Sequence, residues 1–185
     1  KAYKKLCKFL HIKKSLGKYA YYIAKQTQMY YEFFRSENQE KVLKDTKKIK
    51  VLLLAHAYNI GDKYVGEPIV NMLEKLNVQP IIAEYFDRKK CIKASKAVSK
   101  TLPWSYNQHL LGALELYKDV VDGVILITTY PCGPDSMCDE MIVRQYKDVP
   151  IITLTIDAQD ATAGIETRLE SFVDILNFKR NGKNE

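Results

Sequence analysis

From Ile49 onward the sequence alternates short, nearly unbroken apolar runs with longer segments whose apolar residues recur every three or four positions. The runs cover 49–55, 79–85, 123–129 and 150–156. A strand that is apolar at consecutive positions must be covered on both faces, because successive side chains point to opposite sides of a sheet. The intervening segments 62–76, 88–99, 104–121, 135–146 and 165–176 carry helical spacing. In the last of them Ile165, Leu169, Phe172, Val173 and Leu176 fall on one face. The pattern predicts an α/β fold: a Rossmann/flavodoxin-like open sheet of four parallel strands with helices on both faces. Right-handed crossovers leave few topologies for such a chain, and the expected strand order is 2-1-3-4.

Residues 1–48 read differently. Leu16, Tyr19, Ala20, Ile23, Thr27, Tyr30 and Phe34 share one helix face, and Tyr21, Tyr22 and Tyr31 widen it. Ser15 and Gly17 punctuate the front, so 2–12 is expected to be a separate short helix. The stretch 36–50 is strongly charged and reads as helix tail and linker. The expected organisation is an N-terminal helical segment (1–48), an α/β domain (49–176) and a polar tail (177–185). The tyrosine-rich helix has no partner within its own segment. It must cover another surface, in this chain, in a homodimer or in another domain.

Composition narrows the classes. Apolar residues make up 46% of the 185-residue chain, enough for a core. No apolar run approaches the length of a membrane span, and the basic first 18 residues lack the apolar stretch of a signal peptide. Four cysteines, Cys7, Cys91, Cys132 and Cys138, are too sparse for a disulfide scaffold and read as reduced thiols of a cytoplasmic protein. The net charge of +7 comes largely from lysines on expected helix faces and linkers. It is read as solvation, with neither nucleic acid nor membrane as a partner.

Ligands of open parallel sheets bind beyond the carboxyl ends of the strands, near a switch in strand order. The four segments that follow the strands are all polar: 56–62 with His56, Tyr58 and Asn59; Glu84 and Asp87; 128–136 with Cys132, Gly133 and Asp135; and 157–164 with Asp157 and Asp160. Cys132 stands at a strand-to-helix turn between two prolines. A helix N-terminus shifts a thiol toward thiolate, which suits a metal, a cluster or a nucleophile. A small buried residue in a tight turn is the equal alternative. Cys138 is expected in the core, Cys7 and Cys91 are expected to be structural, and His11 and His109 are expected at the surface or in helix packing. His56 suits a ligand-binding role as well as a loop cap. Asp135, Asp157 and Asp160 suit helix capping better than acid–base work. No dinucleotide fingerprint and no P-loop follows any strand.

The string Tyr130-Pro131-Cys132-Gly133-Pro134-Asp135-Ser136, then Ile156-Asp157, then Ala163-Gly164-Ile165-x-Thr167-Arg168-Leu169-Glu170-Ser171-Phe172, resembles the activase-related proteins of the 2-hydroxyacyl-CoA dehydratase superfamily. His56-x-Tyr58-Asn59-x-x-Asp62 and Leu102-Pro103-Trp104-Ser105-Tyr106 with Leu110-Leu111-Gly112-Ala113 are similar to further family segments. The likeness covers roughly 50–174, and the order and spacing of its pieces is its most specific part. It implies Rossmann-like domains that hold a [4Fe–4S] or related iron–sulfur cluster through cysteines. It also implies ketyl-radical dehydration of 2-hydroxyacyl-CoA, with an ATP-hydrolysing activator supplying the initiating electron. Cys132 matches the cysteine of the family's Cys-Gly motif, so cluster ligation is the role carried over. Gly133, Tyr58, Asn59 and Asp157 are the expected wall of the cluster or substrate site. A cluster takes three or four cysteines, and only Cys132 has family context. The other ligands are therefore expected in a preceding domain of a larger parent, with this chain inactive alone.

These readings give one leading expectation and two rivals. The first is a domain of an iron–sulfur electron-transfer or acyl-CoA dehydratase system, partnered by an activator or dehydratase subunit and by acyl-CoA. The rivals are a cluster-free docking module and a small-molecule or nucleotide-binding flavodoxin-like domain.

Overall fold

The computed structural model describes residues 2–44, 47–157 and 162–182. Four strands, β1 (Ile49–Leu54), β2 (Val78–Ile82), β3 (Gly123–Thr129) and β4 (Ile151–Ile156), make one all-parallel sheet in the order β2-β1-β3-β4. The expected fold class and strand order are both found. The helices are α1 (Ala2–Phe9), α2 (Lys14–Leu43), α3 (Ala57–Ile60), α4 (Gly66–Lys75), α5 (Arg88–Ser95), α6 (Ser105–Tyr117), α7 (Gly133–Gln145) and α8 (Thr162–Asn181). A 3-10 turn at Ala83–Tyr85 follows β2.

The pleat sorts the apolar runs into two cores. Val51 and Leu53 of β1, with Ile125, Ile127 and Leu154, join Ile69 and Leu73 of α4 and Leu169, Phe172, Val173 and Leu176 of α8. Leu52 and Leu54, with Ile81, Val124 and Leu126, join Leu111 and Leu114 of α6 and Ile142 of α7. Both faces are thus sealed, which is why the central strands show no alternation of polar and apolar residues. Burying each of the larger side chains contributes about 1.5–3 kcal/mol.

The two edges of the sheet are handled differently. Pro80 lies in β2, an edge strand, where its missing N–H interrupts no ladder between central strands. The Ile82 N–H on that edge donates to Gln39 Oε1 of α2 at 3.1 Å. The carboxyl-terminal end of α2 therefore covers part of the edge, with Val42 and Leu43 packed against the core beside it. At its other end α2 meets α1, where a Cβ on Gly17 would lie 2.0 Å from Cys7 Sγ. Gly17 lets the two helices approach, and Cys7 fills the contact as a buried residue.

Two boundaries differ from expectation. The last helix does not stop at Leu176 but runs to Asn181, so 177–181 is helix and not tail. Lys179 and Arg180 in its final turn favour the negative end of the helix dipole. The helix expected over 62–76 begins only at Gly66, and the polar loop before it holds a one-turn helix, α3; a Cβ on Gly66 would meet the Asn59 and Ile60 backbone, so glycine lets α4 start against α3. Among the described residues no helix is long and apolar enough to cross a membrane.

Candidate functional site at the switch point

Strand β1 has β2 on one side and β3 on the other, so the crossovers diverge there and leave a crevice beyond the carboxyl ends of β1 and β3. His56 enters it directly after β1, as the residue before α3. Asp135 enters it from the first turn of α7, after β3. The two are 79 residues apart, yet His56 Nε2 lies 2.8 Å from Asp135 Oδ1, with both side chains buried. Asn107 of α6 donates through Nδ2 to the same oxygen at 2.8 Å. Tyr58 stacks on the His56 ring at a centroid distance of 5.2 Å, and Tyr106 meets it edge-on at 5.7 Å. Arg88 lies over the Tyr106 ring in turn.

This geometry sets the charges. The hydrogen bond to Asp135 raises the pKa of His56 above the ordinary imidazole value, against the opposing effect of burial. Burial pushes the Asp135 carboxyl up, but hydrogen bonds from His56, Asn107 and the Cys132 thiol outweigh it and hold the carboxyl below its usual range. The pair is therefore imidazolium and carboxylate over a wide span of pH. His56 Nδ1 and Asn59 Nδ2 remain buried donors without a protein acceptor among the described residues.

Cys132 precedes α7 and its side chain makes no capping bond. It is partly exposed, whereas Cys7, Cys91 and Cys138 are buried. The expectation of a lowered thiol pKa is not met. Burial and the adjacent Asp135 carboxylate push the Cys132 thiol up, and together they outweigh the pull of the Asp135 backbone N–H. A neutral thiol beside a carboxylate is a poor nucleophile. Gly133 opens the helix, and a Cβ there would meet nothing within 4 Å, so free space adjoins the Cys132 turn. The peptide between Tyr130 and Pro131 is cis.

The structure thus joins His56, Tyr58, Asn107, Cys132 and Asp135, with Asn59 buried behind them in α3. Asp157 lies exposed after β4. Asp160 falls outside the described residues. Cys138 is in the core, as expected, and its buried thiol is pushed up to about 12. Of the two alternatives expected for His109, helix packing is the one found: it is buried in α6. Its Nε2 is 3.2 Å from the Phe86 carbonyl, and its Nδ1 is 3.3 Å from Glu84 Oε2, close but without hydrogen-bond geometry.

Sequence reasoning missed a second polar pair below the rim. The Thr128 hydroxyl at the end of β3 donates to Asp139 Oδ2 of α7. Burial raises the Asp139 pKa to about 6, the hydrogen bond notwithstanding. A carboxyl that binds its proton more tightly when folded adds stability at low pH and loses it as pH rises from about 4 to about 6. Asp139→Asn is accordingly expected to match the parent near pH 4. Near pH 8 it should be more stable by about 2–3 kcal/mol. Urea titrations at the two pH values measure the difference, and an equal effect at both would remove the buried-carboxylate explanation.

A [4Fe–4S] cluster takes three or four cysteine ligands. Among the described residues no group of three or more His, Cys, Asp or Glu side chains is placed to hold a metal ion. Cys132 is the cysteine at the rim, and the other three are sealed in helix contacts. The described residues therefore do not make a cluster site by themselves. No protein-family model, curated protein or solved structure matches this chain.

Proposed function

We propose that this chain is one α/β domain of an iron–sulfur protein related to the 2-hydroxyacyl-CoA dehydratases and their activators. In this reading Cys132 supplies a single thiolate, and the remaining ligands come from a neighbouring domain or subunit. The observation that carries the reading is the contrast among the cysteines. One is partly exposed at the switch point of the sheet, beside open space at Gly133, and three are buried. The resemblance around Tyr130–Ser136 picks out that same residue. Tyr58, stacked on the His56 ring, then forms a wall on the β1 side.

The test uses the longest natural chain that contains this sequence, purified without oxygen, with iron and acid-labile sulfide measured. Cys132→Ser is expected to lose most of its iron, and residues 1–185 alone are expected to hold no stoichiometric cluster. Full iron content after Cys132→Ser would reject the ligand role.

A second reading rests on His56 Nδ1 and Asn59 Nδ2, the buried donors beside the crevice. They suit a small anionic ligand at the switch point, as in a nucleotide- or CoA-binding domain. Thermal shift with CoA esters, FMN and nucleotides tests it, because a ligand that binds only the folded state raises Tm by mass action. Stabilisation by a CoA ester that is lost in His56→Ala would support this reading, and no shift with any of them would end it.

A further inference from the structure

Every residue of α2 from Lys18 to Arg35 is exposed, although the helix continues without a break for about 27 Å over that stretch. Tyr3 of α1 stacks on Tyr21 and Arg35 lies over the Tyr85 ring, but the stretch between faces solvent and is rich in large apolar groups. Tyr30 is 64% exposed, Phe33 68% and Phe34 50%. At 100° per residue, Tyr22 and Phe33 mark one edge of an apolar arc, Ile23, Tyr30 and Phe34 its middle, and Tyr31 the other edge. That arc spans roughly half the circumference. A helix of this composition is marginal in water without a surface to cover it, and the described body of the protein touches only its two ends.

Charge says what kind of surface. Residues 1–35 hold nine of the 29 Lys and Arg but one of the 22 Asp and Glu, so they carry +8 while the rest of the chain carries −1. The basic excess thus lies in the N-terminal helical arm, six of its nine cations at 1–14 and the other three, Lys18, Lys25 and Arg35, on the exposed stretch. We propose that this arm is the docking surface for a second, different protein whose contacting face is an apolar groove with an acidic rim. The proposal does not depend on the role assigned to Cys132.

The layout of the arm matches interface anatomy. Its arc offers Tyr, Phe and Ile without a lysine, as in the core of a protein interface, while Lys18 and Lys25 lie about 40–60° beyond the Tyr22 edge and Arg35 about 40° beyond the Tyr31 edge, where a rim would be. Tyr is enriched at binding hot spots. A second copy of this arm is disfavoured, because two arms of +8 repel each other along their length. A bilayer surface fits less well. An interfacial helix opposes its apolar face with one rich in Lys and Arg, whereas the face opposite this arc holds Gln28, Tyr21 and Glu32. Nucleic acid wants cations interleaved with its stacking rings, and within the arc there are none.

The test replaces Tyr30 with a photo-crosslinking phenylalanine analogue in the full chain, irradiated in extract of the source cells. The adduct is identified by mass spectrometry, and the partner is then purified and titrated. The expected adduct is a protein crosslinked through an acidic segment. Its affinity should fall roughly 30-fold or more in the Tyr22→Ala, Tyr30→Ala, Phe34→Ala triple variant. It should also weaken with added salt and with Lys18→Glu and Lys25→Glu. Unchanged far-UV circular dichroism keeps a folding failure apart from a binding failure. The proposal is overturned by an adduct with a second copy of the chain or by the absence of any protein adduct. It is equally overturned if the same variants abolish binding to phosphatidylglycerol vesicles or to RNA while no protein partner binds.

Discussion

Gly112→Ala is expected to destabilise the domain by about 3 kcal/mol or more, although alanine is the better helix former. Gly112 lies in the middle of α6, where that helix crosses α5 at backbone contact. A Cβ at this position would stand 1.7 Å from the Cys91 carbonyl oxygen, 2.4 Å from its carbon and 2.9 Å from its Cα. These are backbone atoms, so no side chain can swing aside, and α5 must move off α6 as a unit. Cys91, Leu111 and Leu114 are fully buried around the crossing, and all lose contact when it opens. The gain of up to about 1 kcal/mol from helix propensity is too small to compensate. For a chain of this length the loss corresponds to a fall in Tm of roughly 10 °C. Gly133→Ala is the control, since its Cβ meets nothing and should be neutral or stabilise by up to about 1 kcal/mol. Parallel thermal and urea melts of the two variants read the contrast. Equal effects would mean that the α5–α6 crossing is looser than described.

The same contrast shows what the chain discloses in one dimension. The parallel sheet and its order were legible because they follow from local features: apolar runs of strand length, helical spacing between them, and the rule that such strands need cover on both faces. The two cores followed from the period of two within β1, where Val51 and Leu53 oppose Leu52 and Leu54. The rim was legible as a place, because strand ends mark it. Its wiring was not. Nothing within five residues of His56 announces Asp135, and each taken alone is as well explained by a turn or a helix cap. Asn107 carries no signal at all, since it sits in a helical segment whose apolar spacing hides it. The error on Cys132 had a different source. A helix end favours thiolate, but burial of Cys132 and then the carboxylate three residues on, at Asp135, oppose it. That residue was visible in the sequence and was the signal to use. His109 takes the helix-packing alternative expected for it, buried in α6 next to Leu110 and Leu111.

Asp135→Ala is expected to cost about 3–5 kcal/mol, the largest effect of any change at the rim. Asp135 Oδ1 accepts from both His56 Nε2 and Asn107 Nδ2, so its removal leaves two buried donors without acceptors. Each unpaired donor costs about 1–3 kcal/mol, and His56 must also give up its proton or stay charged in the interior. Asp135→Asn keeps the shape and one acceptor, which makes it the gentler variant and isolates the charge. The pH dependence identifies the mechanism. A histidine whose pKa is raised by folding contributes stability that is full below about 6.5 and lost as pH rises through the raised value. A carboxyl whose pKa is lowered contributes stability that is full above about 4 and lost as pH falls through the lowered value. The two conditions overlap between about pH 4 and 6.5, so the gap between the parent and Asp135→Asn should be widest there and narrow on both sides. Urea titrations across pH 3–9, with the His56 ring followed by NMR, measure that gap and its cause together. A gap that is constant across this range would mean that the ion pair contributes only shape. The imidazolium would then be no part of what the switch point offers a ligand.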